Sequence, residues 1–109
     1  KKMAALTSEM YTSRRKQELE YSIRKQLKQI ENIDTRYNKT SQKLETELAK
    51  LKAARNDYKW NGSNAKRERF YKQKSSLNNK IADTQQKYKA DRRQGYLKLS
   101  QFKEQLRQL

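Results

Sequence analysis

Trp60-Asn61-Gly62-Ser63-Asn64 interrupts a sequence otherwise rich in helix formers, and the residues on its two sides run in mirror-image ladders. Before it, Ile23, Leu27, Ile30, Asp34, Tyr37, Ser41, Leu44, Leu48, Leu51, Arg55 and Tyr58 follow alternating steps of four and three. That spacing keeps one seam of a helix turned toward a partner. After it, Phe70, Lys74, Leu77, Ile81, Gln85, Tyr88, Arg92, Gly95, Leu99, Phe102, Leu106 and Leu109 do nearly the same. Folding the chain back at Gly62 brings level those residues whose numbers sum to about 128 or 129. Leu51 then meets Leu77, Leu48 meets Ile81, Leu27 meets Phe102, Ile23 meets Leu106, and Asp34 falls opposite Gly95. The expected fold is all-α, a long antiparallel two-helix coiled-coil hairpin with its bend at residues 61–64. Residues 19–60 form the first arm and 65–109 the second. Leu19 is expected level with Leu109, so residues 1–18 overhang.

Local signals refine this outline. Thr7 or Ser8 is expected to cap the first helix, Gly62 to end it in a left-handed conformation, and Ser63 or Asn64 to cap the second. The step from Ile81 to Gln85 reads as a stutter in the second ladder. Gly95, with Asp34 opposite and Arg92 and Arg93 beside it, predicts a close, salt-bridged crossing of the two helices.

Composition limits what such a hairpin can do. With 32% apolar against 37% charged residues in 109, the chain can fill a narrow seam but not a broad core. There is no proline to break either helix. Cysteine and histidine are both absent, which removes disulfides, thiolate nucleophiles, Ser-His pairs and the usual zinc ligands. The two glycines cannot build a phosphate loop, and the carboxylate pairs Glu18/Glu20 and Glu45/Glu47 point to different helix faces. Neither a cofactor nor a metal is expected, and the chain reads as non-enzymatic. No run is long and apolar enough to be a transmembrane segment, and Lys1 to Leu6 turns polar too soon for a signal peptide, so a cytoplasmic location is expected. A chain that begins at Lys1 with Met3 inside is also what a trimmed or excised segment would look like.

Charge is the second strong signal. Twenty-eight basic residues against twelve acidic give +16, divided as +7 in residues 1–60 and +9 in 61–109. Such a field attracts nucleic acid, anionic lipid or an acidic protein surface. Around the bend, basic and aromatic side chains mix, and Trp60, Lys66, Arg67, Arg69, Tyr71, Lys72 and Lys74 are the candidate partner-binding residues. Tyr37, Tyr58 and Tyr88 fall on the seam, while Tyr11, Tyr21, Tyr71 and Tyr96 do not and are candidates for partner contact or plain exposure.

Trp60-Asn61-Gly62 at the bend of a two-helix hairpin of this size resembles the Trp-x-Gly turn of the small secreted hairpin proteins of type VII secretion, with Phe70 as the aromatic residue of the second helix. That resemblance implies a secreted hairpin. The two long helices and the Gln/Lys/Arg-rich surface are also similar to the coiled-coil stalk proteins of flagellar and type III export, which implies a component of a secretion apparatus.

The sequence thus leads to a structural spacer or adaptor that docks onto an acidic protein surface within a larger assembly. The alternative is sequence-nonspecific binding of DNA or RNA through phosphate contacts and base stacking. Apolar residues off the seam, Ile33, Ala53, Ala54, Ala82 and Leu97, would let two hairpins bundle into a homo-oligomer.

Overall fold

The computed structural model of the chain describes the backbone of residues 2–57 and 64–109, and the side chains of residues 8–54 and 64–109. Two helices, α1 (Lys2–Asp57, 56 residues) and α2 (Asn64–Arg107, 44 residues), form the expected antiparallel hairpin. Ala, Leu, Lys, Arg, Gln and Glu lose little rotamer freedom in a helix, and no proline interrupts them. α1 starts earlier than the capping signals predict. Lys2 to Leu6 are themselves good helix formers, so Thr7 and Ser8 sit inside the helix rather than at its cap. α2 begins at Asn64, one of its two cap candidates. Tyr58, Trp60, Gly62 and the rest of the bend lie outside the described residues, as does the side chain of Arg55.

The hairpin divides into a terminal unit, Lys1–Ile33 with Ala90–Leu109, and a central unit, Asp34–Lys89. The terminal unit buries Leu19, Ile30 and Leu99, with Leu19 only 2% exposed. Each such side chain stabilises the fold by about 1.5–3 kcal/mol. Gln26 is buried among them, and its Nε2 donates a 3.0 Å hydrogen bond to the carbonyl oxygen of Gly95. A Cβ built on Gly95 would come 3.0 Å from Cγ1 of Ile30, a separation that real side chains rarely reach. Glycine therefore lets the two backbones approach at this layer. Further along, Arg15 donates from Nη2 to Oε1 of Gln105 at 3.0 Å and pairs with Glu18 at 3.3 Å. The segment expected to overhang thus touches α2 at Arg15.

The central unit buries Leu44 and Phe70. Its middle layer is aromatic: the Tyr37 and Tyr88 rings stack with centroids 4.1 Å apart and an 18° tilt. The Tyr88 hydroxyl donates a 2.6 Å bond to Oδ1 of Asp34, short because the acceptor is a carboxylate. Half-buried Thr84 is satisfied within its own helix, its Oγ1 donating to the Lys80 carbonyl oxygen at 2.7 Å. Among the described residues, no buried side-chain nitrogen or oxygen lacks a hydrogen-bond partner.

These contacts correct the register. Ile30 with Gly95 and Tyr37 with Tyr88 both sum to 125, about one helical turn from the expected 128 or 129. Gly95 faces Ile30 and Gln26 rather than Asp34, and Asp34 takes its hydrogen bond from Tyr88. Leu109, expected level with Leu19, is 49% exposed. The seam itself also shifts in places. Gln26 is buried where Leu27, 47% exposed, was expected. On α2, Thr84 and Asp91 are half-buried, whereas Gln85 and Arg92 are exposed. The ladder from Phe70 to Gly95 therefore keeps strict steps of four and three. The extra residue falls between Gly95 and Leu99, so the stutter lies beside the glycine and not at Ile81.

Candidate interaction surface

The predicted partner-binding residues occupy the first turns of α2, except Trp60, which lies outside the described residues. Phe70 anchors this stretch, turned inward and 7% exposed. At 100° per residue the others fan out around it. Arg67, Tyr71 and Lys74 follow one flank at steps of four and three. Lys66 and Arg69 follow the other, and Lys72 points away from the seam. Lys74 is half-buried, and the remaining five are exposed. What the structure brings together is one cluster: the Arg67 guanidinium lies 5.9 Å from the Tyr71 ring centroid, and Tyr71 meets the edge of Phe70 at 5.4 Å. The six described ones are thus not one continuous patch. Five of them share charge distributed around the helix, not a common face.

A matching pair in the terminal unit did not stand out in the sequence. Arg92 lies 5.4 Å from the ring centroid of Tyr96, again four residues along α2. Arg-x-x-x-Tyr occurs at both places, and the i, i+4 spacing was the available signal. Tyr11, Tyr21, Tyr71 and Tyr96 are all exposed, and Tyr37 and Tyr88 are on the seam as expected. Each ring face with a guanidinium over it is a flat cationic surface.

The central unit also contains a groove to which no sequence motif points. Leu51 and Leu77 form its floor, with Lys50 and Lys80 on its two rims and Glu47, Gln73 and Ser76 completing the lining. Both leucines were read as seam residues, and in the structure both are half-buried, with part of their surface turned to this flank.

Of the residues expected to promote bundling, Ile33 and Ala54 are half-buried, which leaves Ala53, Ala82 and Leu97 exposed. They do not form a continuous apolar stripe, since Leu97 lies far along α2 from Ala82. Among the described residues, no helix is long and apolar enough to cross a membrane, and no three carboxylates gather into a metal-holding group. No family model matches the chain, and neither a curated protein nor a solved structure is similar enough to match it.

Proposed function

We propose that this chain is a non-enzymatic, basic coiled-coil hairpin that serves as a structural spacer or adaptor and docks onto an acidic partner in a larger assembly. The observation that carries this reading is that, among the described residues, every basic side chain except half-buried Arg15 and Lys74 is exposed, on both helices, around a narrow seam. Exposed charge of one sign accelerates encounter with an acidic surface. The overhanging end supplies a second contact. Met10 and Tyr11, 72% and 68% exposed, are the most exposed large apolar side chains among the described residues.

A second reading is favoured by the two arginine–tyrosine pairs. Arg67 over Tyr71 and Arg92 over Tyr96 offer a cation beside an exposed aromatic face, the combination on which unpaired bases stack. In this reading DNA or RNA is bound without sequence preference.

Titrating the chain against an acidic protein and against single- and double-stranded DNA and RNA, each at two salt concentrations, separates the two. The adaptor reading expects the acidic protein to bind and the nucleic acids to bind only weakly at physiological salt. Tight binding to every nucleic acid, falling steeply with salt, transfers the function to the second reading.

A further inference from the structure

The two flanks of the central unit differ in charge, and the difference follows the groove. On α1, stepping back by sevens from Lys50 meets Lys43 and Arg36; on α2, stepping by sevens from Lys80 meets Lys87 in one direction and Gln73 and Lys66 in the other. Arg69 lies seven before Ser76 on the same side. Against these seven basic residues stand Glu47 and, at the margin, Asp83. The opposite flank carries fewer basic residues: Lys52 beside Glu45 on α1, and Arg67, Lys74 and Lys89 with the neutral Asn78 and Gln85 on α2. Lysines at seven-residue intervals beside an apolar seam occupy the positions at which coiled coils select partners by charge.

We infer that this groove docks one helix of a partner, an amphipathic helix with acidic residues at heptad spacing and leucine-like side chains that enter between Leu51 and Leu77. The inference rests on the adaptor reading and specifies its partner. A bare polyanion would satisfy the lysines and gain nothing from the leucine floor, whereas an acidic amphipathic helix uses both. A second copy of this chain is disfavoured as the occupant, because it would bring its own basic flank against this one.

The test uses the whole chain and a labelled acidic amphipathic helix of three heptads, about 21 residues, followed by fluorescence anisotropy. Poly-glutamate of equal charge is the comparison probe. The helix should bind, and poly-glutamate about tenfold more weakly. Lys50→Glu with Lys80→Glu should weaken helix binding by about tenfold or more, whereas Lys52→Glu with Lys89→Glu, an equal change in net charge on the opposite flank, should weaken it by about threefold or less. All four positions are exposed, and circular dichroism of each variant confirms that the hairpin is intact. Equal losses from the two pairs, or equal binding of poly-glutamate, overturn the groove and leave the adaptor reading standing. If neither probe binds at low salt, both fall.

Discussion

In the terminal unit, the layer at Gly95 is made by leaving a side chain out; in the central unit, the layer at Tyr37 and Tyr88 is made by stacking two large rings. Both layers carry a polar group inside the seam, and both satisfy it. Gln26 bonds to the backbone carbonyl of Gly95, while Tyr88 bonds to the Asp34 carboxylate. A seam this narrow tolerates polar residues when each finds a partner, and those partners exist in one register only. Polar layers thus set the alignment that the leucines, repeating every three or four residues, leave ambiguous.

The largest effect should come from the apolar partner of the glycine. Ile30→Ala removes a buried side chain at the Gly95 layer and should lower the unfolding free energy in urea by about 2–4 kcal/mol. Filling either layer incorrectly should cost less. Gly95→Leu overpacks against Ile30 and should destabilise by about 1–3 kcal/mol. Tyr37→Leu, which loses the stack but keeps an apolar side chain, should cost about 0.5–1.5 kcal/mol. If Gly95→Leu were instead stabilising, the terminal unit would not depend on close approach, and its contrast with the central unit would disappear.

Smaller changes sharpen the same comparison. Tyr88→Phe keeps the ring stack and deletes only the hydroxyl bond to Asp34, so its expected cost is about 1 kcal/mol in the same measurement. A loss no greater than that of an exposed tyrosine such as Tyr21→Phe would show that the bond contributes nothing. At the bottom of the scale are the exposed i, i+3 ion pairs, Arg15–Glu18 and Glu104–Arg107. Glu18→Gln with Glu104→Gln should change stability by less than about 0.5 kcal/mol, because both pairs are solvated and screened. A larger loss would mean that Glu18 supports the Arg15 contact with Gln105.

The hairpin could be read from the sequence because steps of four and three over some 40 residues on each side of Gly62 leave few other solutions. Its register could not. A shift of one turn carries each seam residue to the next seam position, so Leu48 fits Leu77 as well as it fits Ile81. Hydrophobicity alone favours Leu27 over its neighbour Gln26 as the seam residue. A buried glutamine is recognised only once its acceptor, the Gly95 carbonyl, is in place. The basic character of the first turns of α2 was legible by composition, but the groove was not. Leu51 and Leu77 read as seam residues, and only the paired helices show that the lysines beside them share a flank.

The register underlies the close layer of the terminal unit, and engineered thiols test it directly in a chain that has no cysteine of its own. Ile23→Cys combined with Phe102→Cys joins positions that sum to 125, and Ile23→Cys combined with Leu106→Cys joins the alternative pair. Four residues along a helix is about 6 Å, and a disulfide needs its two Cα atoms within about 4.4–6.8 Å, so the two pairs should oxidise at different rates. Under a glutathione redox buffer, the first pair is expected to close rapidly and raise the thermal midpoint, with the second remaining largely reduced. Preferential closure of the Ile23→Cys/Leu106→Cys pair would contradict the register of the terminal unit, and with it the close layer at Gly95.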